Sequence, residues 1–440
     1  MHPFYAIIYA VLSYTLRIFY PRRLTVNGPK ERLGSTIYVS NHTASFMDPL
    51  VVARFAKPIV FFMTRSDVFT KTTTPFLTAV HMLPIYRQHD GEDTKKKNEE
   101  VFERCSTILK KGKNLLIFGE GFTDDVFIRR LKPVKKGAVR IGFLTLSNLN
   151  WEKKIYIAAT GCNYSFPNQL GSDFLLSYSD KICLNDYRKE YEENPNKIIN
   201  DLTKRIEKLM QEQITHVADK ELAPFHENIM IITRKGMNAF NFDKKLSLYD
   251  RWKYSQKLAN WLNKQDLEEN KKLADLKKQA QTYFSLLKRF KLEEQYVYWK
   301  KDNPSGSRLK EVLNMILLFP FSILGFIHCA IPYILVKRFV EKSFKRKVFW
   351  ASVKMILGAL AIGIINIPVI FLFYYFIFPS WLLAIFYYLT IGLTGLAAYM
   401  LVRNLKTFTI KGKVNKTDLS GILKKREALE AAIKDMVPHF

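Results

Sequence analysis

The stretch STIYVSNHTASFMDPLVV, residues 35–52, decides how the chain folds. Its first six residues, STIYVS, read as a buried strand. A polar segment follows, Asn41 to Ser45. Asp48-Pro49 then has the pattern of a helix N-cap with proline at the first helical position. A strand turning directly into a helix is the unit of an α/β sheet. Three more apolar runs repeat the theme: KPIVFFM (57–63), NLLIFG (114–119) and KIYIAAT (154–160). Helices are expected between them over 48–56, 94–111 and 135–147. Residues 24–185 are therefore predicted to form an α/β domain, a mixed, mostly parallel sheet covered by helices.

Composition separates the rest of the chain. With 440 residues, more than one structural unit is expected. Mean hydropathy is near zero at −0.08, yet the last third is apolar and the middle is crowded with lysine. Residues 1–23 read as a membrane-interface helix, with Arg22 and Arg23 at lipid phosphates; a buried core helix fits equally. No signal peptide is expected, because the positive charges follow the apolar segment. Residues 186–310 read as long amphipathic helices with solvated charged faces. Residues 311–405 carry three apolar blocks. The first, 312–336, is interrupted by Pro320 and Pro332; the second and third, about 352–377 and 381–402, are long enough to span a bilayer. Residues 406–440 read as a cytoplasmic tail ending in a short amphipathic helix. The basic loop 337–347 and the tail are both expected in the cytoplasm. The first block would then be a re-entrant pair or an interfacial hairpin, with the α/β domain on the cytoplasmic face of a multi-pass protein.

The formal net charge is +28, from 68 Lys and Arg against 40 Asp and Glu. Such an excess favours polyanions. With apolar spans present, lipid headgroups and phosphorylated substrates explain it more simply than nucleic acid, for which no motif is visible. The four cysteines, Cys105, Cys162, Cys183 and Cys329, match neither a zinc spacing nor a disulfide framework, so reduced thiols and no metal site are expected.

Several residues carry candidate chemistry. His42 sits where a strand ends before a helix, the place ligand-binding residues occupy in open α/β sheets. In a continuous helix His42 and Asp48 would lie roughly 120° apart and would not share a face. They meet only across a loop, which Asn41, Thr43 and Ser45 permit. A carboxylate on one imidazole nitrogen would free the other to take a proton from a hydroxyl. The spacing alone fits ordinary loop residues as well. Arg87, after the apolar run MLPIY, could grip a phosphate, or could be a surface arginine. Gly119-Glu120-Gly121 follows a buried strand and precedes the helix start at Lys135-Lys136-Gly137. Free amides and positive side chains there suggest an oxyanion or phosphate cradle, with Glu120 accepting a bond from a substrate hydroxyl. The strand at 155–169 ends in a polar, aromatic loop that fits a substrate wall or a structural turn.

These four elements, in this order, resemble the glycerolipid acyltransferase family, in particular a branch with NH-x5-DP, matched by Asn41-His42 and Asp48-Pro49. Arg87 matches the end of the second block. Phe118-Gly119-Glu120-Gly121 matches a third block that usually reads Phe-Pro-Glu-Gly. Ile155 to Ala159 matches the fourth. The resemblance implies acyl transfer from acyl-CoA or acyl-carrier protein, with no further cofactor, to a hydroxyl of glycerol 3-phosphate or 1-acylglycerol 3-phosphate in phospholipid synthesis. His42 would be the general base, oriented by Asp48. Asn41, Arg87, Gly119, Glu120, Gly121, Thr123, Lys135 and Lys136 would bind substrate. Two departures stand out. Gly119 in place of proline would loosen the turn, and Asp124-Asp125 would repel a phosphate unless Arg129, Arg130 or Lys132 compensates. The alternatives are another lysolipid or amino-acid lipid as acceptor, or an inactive membrane-tethered lipid-binding adaptor. The partners expected are the bilayer, the thioester donor and a phosphorylated glycerol acceptor.

Overall fold

The computed structural model describes residues 3–31, 34–55, 59–86, 94–302 and 308–438. They fall into two units, residues 1–223 with 245–264, and residues 224–244 with 265–440. The expected helical region 186–310 is therefore shared between two units.

The first unit opens with helix α1 (Pro3–Phe19) and strand β1 (Arg22–Val26). The sheet continues through β2 (Thr36–Ser40), helix α2 (Met47–Phe55), β3 (Val60–Arg65), α3 (Thr74–Ala79), β4 (Met82–Ile85), α4 (Thr94–Lys110), β5 (Asn114–Phe118) and α5 (Gly137–Asn148). Strands β6 (Tyr156–Tyr164), β7 (Asp173–Tyr178) and β8 (Ile182–Cys183) follow, then α6 (Arg188–Glu193) and α7 (Pro195–Gln213). The strand order is β1-β7-β6-β2-β5-β3-β4, with β8 on β6. β6, β2, β5, β3 and β4 run parallel, β1 and β7 pair parallel, and β7 and β8 are antiparallel to β6. The sheet is thus mixed and mostly parallel, as the alternating apolar runs predict. Its central strand β2 is buried at every residue, and no alternation of apolar and polar residues marks one face as solvated.

Two of the strands not read from the sequence form the edges of the sheet. β1 (RRLTV) is an exposed edge strand without an apolar run. β4 (MLPI) is the other edge, the position in a sheet that tolerates Pro84. The core joins Ile37 and Val39 of β2 to Val139 and Phe143 of α5 and to Ile198, Leu202, Ile206 and Met210 of α7. Gly142 lets α5 pack closely: a Cβ there would lie 2.2 Å from Leu184 and 3.4 Å from Ile37.

The second unit begins in α8 (Ala223–Thr233), whose first residue belongs to the first unit. α9 (Leu248–Leu262) returns to the first unit, where Arg251 pairs with the fully buried Asp173 of β7 at 2.8 Å. The second unit then contains α10 (Lys271–Arg289), α11 (Glu294–Asp302), α12 (Leu309–Ser343), α13 (Trp350–Ile365), α14 (Ile367–Phe376), α15 (Trp381–Lys416) and α16 (Ser420–Met436). Three segments, Leu309–Ser343, Lys347–Phe376 and Trp381–Lys416, are long and apolar enough to cross a membrane. Their large side chains, among them Ile316, Ile331, Phe376 and Leu382, point outward. Outward apolar surface on this scale belongs in lipid and indicates membrane association.

The bend lies elsewhere than the prolines suggest. α12 runs unbroken through Pro320 and Pro332, so the first block is neither a re-entrant pair nor a hairpin. α15 packs antiparallel along it: Lys411 pairs with Glu311 at one end, and Gly325 faces Thr394 and Ala398 further along. The second block is the one that breaks, at Asn366 before Pro368. α13 leaves the end of α12, where Lys354 pairs with Glu341. It reaches His328 halfway along α12, where Asn366 Oδ1 lies 2.8 Å from His328 Nδ1. α14 then returns, stacking Tyr374 on Trp381 at the start of α15. The basic loop 337–347 and the basic residues after Arg403 consequently lie at opposite ends of the α12–α15 pair. If that pair crosses a bilayer, the expectation that both face the cytoplasm fails.

On α10, α11 and α16 the organising contact is buried. Arg426 Nε lies 2.7 Å from Glu294 Oε1, Tyr283 donates its hydroxyl to the same carboxylate, and Arg426 Nη1 lies 2.6 Å from Glu430. Burial pushes the Glu430 carboxyl up, but hydrogen bonds from Lys301, Lys434 and Arg426 hold it down to about 2.

A depressed carboxyl stabilises the fold above the ordinary carboxylate range and loses that contribution as pH falls towards its folded value. Glu430→Gln is therefore expected to lower the thermal midpoint of the full chain in detergent at neutral pH. The difference from the parent should vanish near pH 2; a pH-independent offset would contradict the assignment. The α12–α15 contact predicts a contrast between two glycines. A Cβ on Gly325 would lie 2.1 Å from the Thr394 carbonyl oxygen, whereas one on Gly358 meets nothing within 4 Å. Gly325→Ala is expected to destabilise by about 1–3 kcal/mol through overpacking. Gly358→Ala is expected to be neutral or to add up to about 1 kcal/mol from helix propensity. Equal melting shifts for the two variants would refute the close packing.

Candidate active site

Parallel register places the chemistry at one edge of the sheet. Ser40 at the end of β2 pairs with Phe118 at the end of β5 on one side and with Thr160 of β6 on the other. Residues just beyond these C-terminal ends therefore emerge side by side, as ligand residues do in open α/β sheets. β2 delivers His42, β5 delivers Glu120, and β6 runs on to Tyr164.

The segment after His42 is a turn, as the pairing with Asp48 requires. Met47 and Asp48 donate backbone bonds to Ala44 and Ser45, and Ser45 adopts φ 52°. Helix α2 starts at Met47, so Asp48 stands inside the first turn rather than at the N-cap. The turn brings His42 Nδ1 to 3.0 Å from Asp48 Oδ2. The same oxygen accepts the Ala44 N–H at 2.9 Å, and Oδ1 accepts the Tyr164 hydroxyl at 2.7 Å. Asp48 is fully buried, whereas the His42 side chain keeps 19% of its surface accessible. Asp48 accepts from Nδ1, which sets the tautomer and leaves Nε2 with no protein partner among the described residues. Burial, and then the Asp48 charge, push the Tyr164 phenol well above its ordinary range, so its proton stays on to donate.

A second carboxylate holds the same histidine from the other side. Glu120 is buried, and its Oε1 accepts the His42 backbone N–H at 2.8 Å. Its Oε2 lies 4.0 Å from Lys132 Nζ. Burial pushes the Glu120 carboxyl up, while the His42 N–H and Lys132 pull against it without cancelling the shift. The His42 ring stacks on Phe118 at 4.2 Å. Glu120 thus spends one oxygen on the His42 backbone.

Gly119 does not loosen the turn. Its N–H donates to Ser40 at 3.0 Å, a bond proline could not make, and a Cβ would lie 2.9 Å from Val39 and 3.0 Å from Val134. Gly121 sits at φ +76°, where glycine is favoured, and its N–H closes the turn on Phe118. Of the three candidates to offset Asp124, Lys132 does so at 3.1 Å. Arg129 turns inward instead, bonding the carbonyls of Tyr164 and Ser165 at 2.7 and 3.1 Å. A cavity of about 250 Å³ opens beside this turn, lined by Phe122, Asp124, Ile128, Arg130, Lys132 and Lys220.

The remaining predicted residues scatter. Asn41 is buried and exchanges both amide bonds with the Cys162 backbone, at 2.8 and 3.0 Å, which ties β2 to β6. Thr123 is buried in the turn. Lys135 and Lys136 are exposed ahead of α5, and only the Lys135 backbone returns to Gly119, at 2.8 Å. Arg87 lies outside the described residues. Sequence reasoning missed Tyr164, which is 116 positions from Asp48. No spacing rule reaches that far; the one available hint was a tyrosine near the end of an apolar strand.

Comparison with known proteins falls on this part of the chain. Residues 23–158 match the Acyltransferase family model. That span is less than a third of the chain, and it holds His42, Asp48 and Glu120. No curated protein matches. Among solved structures, the 1-acyl-sn-glycerophosphate acyltransferase PlsC from Thermotoga maritima aligns over 46% of this chain and 78% of its own, at 14% identity and a TM-score of 0.30. Strands β2, β3, β4 and β5, with His42, Asp48 and Glu120, thus lie within the residues matching an acyltransferase domain.

Proposed function

We propose that this chain is a membrane-bound O-acyltransferase that moves a fatty acyl group from an acyl thioester to a hydroxyl of glycerol 3-phosphate or 1-acylglycerol 3-phosphate. The observation that carries the reading is the His42–Asp48 contact, with Nε2 open and the carboxylate buried against Tyr164. Nε2 takes the proton of the acceptor hydroxyl as its oxygen attacks the thioester carbonyl carbon. Asp48 stabilises the imidazolium so formed. The tetrahedral intermediate collapses with cleavage of the carbon–sulfur bond, and the imidazolium returns the proton to the leaving thiolate. An ester and a free thiol result. Glu120 positions His42 through its backbone. Arg87, by its resemblance to the second block, and Arg130, Lys132 and Lys220 around the neighbouring cavity supply cations for the acceptor phosphate.

The same reading includes a topology. α12 and α15 cross the bilayer as an antiparallel pair, and α13–α14 enters and returns on one side. The catalytic residues, on this proposal, face the cytoplasm.

His42→Ala is expected to lower acyl transfer by about a hundredfold to ten-thousandfold, the usual worth of a positioned general base, without loss of folding. Tyr164→Phe leaves one Asp48 oxygen buried without its donor, a loss of about 1–3 kcal/mol, and should lower turnover by about tenfold or more. The measurement is product formation by purified full chain given each acceptor with acyl-CoA or acyl-carrier protein. Unaltered turnover in His42→Ala would reject the mechanism, and an inert parent protein would favour the lipid-binding adaptor. For topology, single cysteines at Ser343, Ser380 and Ser420 are to be labelled with an impermeant thiol reagent. Positions 343 and 380 should react from one side and 420 from the other. Opposite-side labelling of 343 and 380 would mean that α13–α14 crosses.

A further inference from the structure

The first unit holds a second charged cavity that the proposed reaction does not use. It measures about 270 Å³ and lies where α1, β1 and α2 meet. Arg17, Arg23 and Arg54 line it together with Leu24, Thr25, Phe55 and Phe174, and no carboxylate does. Among the described residues none of the three arginines is ion-paired. Arg22, next to Arg23 in sequence, pairs with Asp173 and does not line the cavity. Arg54 donates to the Tyr9 hydroxyl at 3.3 Å, and its Nε is buried without a partner. Arg23 makes two long bonds, both 3.3 Å, to the carbonyls of Tyr20 and Pro21 and lies over the Phe55 ring. Burial, then Arg17 and Arg54, disfavour its charge. Three unneutralised guanidiniums converging on one cavity repel one another, and an anion would relieve the repulsion.

α1 indicates which anion. Leu16 and Tyr20 are buried, but Ile7 (62% exposed), Val11 (42%) and Tyr14 (39%) form an outward stripe. Arg17 follows Tyr14 by three positions, on the same helix face and at the mouth of the cavity. An apolar stripe ending at a cationic cavity matches an amphiphile with its phosphate in the cavity and its chains along the helix. The cavity is not the reaction centre: Phe174 lines it and packs on Tyr164 at 5.1 Å, which stands between it and Asp48.

We infer that Arg17, Arg23 and Arg54 form a binding site for the headgroup phosphate of an anionic glycerophospholipid in the membrane surface on which α1 lies. The inference is independent of the proposed reaction.

The test is photocrosslinking of full chain in neutral detergent micelles with phosphatidylglycerol carrying a headgroup diazirine, followed by peptide mapping. Labelling is expected on peptides containing residues 17–26 and 51–55. Arg23→Gln should reduce it about fivefold, and Arg17→Gln with Arg23→Gln by more than tenfold, since each cation near an anionic surface is worth about a factor of five. Both variants spare the Arg54–Tyr9 contact, and their thermal midpoints should match the parent's. Equal labelling by a phosphatidylcholine probe, or undiminished labelling of the double variant, would overturn the proposal. Displacement of the lipid by an equal concentration of inorganic phosphate would overturn the lipid assignment in favour of a free phosphate.

Discussion

The structure turns on a carboxylate removed from water. Asp48 is fully buried, and an isolated charge there would be strongly unfavourable. Three donors from three places offset that: the Ala44 N–H, the His42 ring and the Tyr164 hydroxyl. One belongs to the turn, one to the end of β2 and one to the end of β6. Satisfying Asp48 therefore fixes the turn, the helix start and the strand ends together. An imidazole held in this way has its ring orientation fixed by the fold itself.

Glu120 completes the constraint from β5. Asp48 fixes the ring of His42 and Glu120 fixes its backbone, so the two carboxylates act on the same residue through different atoms. This assignment explains Gly119. The ladder between β2 and β5 runs one bond past the strand, from the Gly119 N–H to Ser40, and holds Glu120 level with His42. A proline would delete that bond. The departure from the Phe-Pro-Glu-Gly pattern thus tightens the geometry it was expected to relax.

In the helical unit, small residues and buried charge divide the work. Along α12 and α15, Gly325 and Gly395 allow backbone approach, the mode by which helices associate where apolar burial gives no advantage over lipid. On α10, α11 and α16, outside the three long apolar segments, Arg426 and Glu294 are buried as a hydrogen-bonded pair. The Asn366 side chain bonds the His328 and Ile362 carbonyls and meets the His328 ring, so the broken backbone of the α13–α14 tip keeps polar partners in an apolar setting.

The buried strands β2, β5 and β6, the helices between them, the long apolar segments and the residues His42, Asp48 and Glu120 were legible in the sequence, because burial on both faces and a strand-to-helix junction leave local signatures. Edge strand β1 left none, since an edge need not be apolar. Roles were less legible than positions. The backbone partners of Glu120 and Asn41 were not legible, Tyr164 joined from 116 residues away, and the bend moved from Pro320 and Pro332 to Asn366. Composition and periodicity record what each residue prefers over a few neighbours. Which donor reaches a buried carboxylate, and which proline bends its helix, depends on packing between segments distant in the chain, and only the tertiary structure decides that.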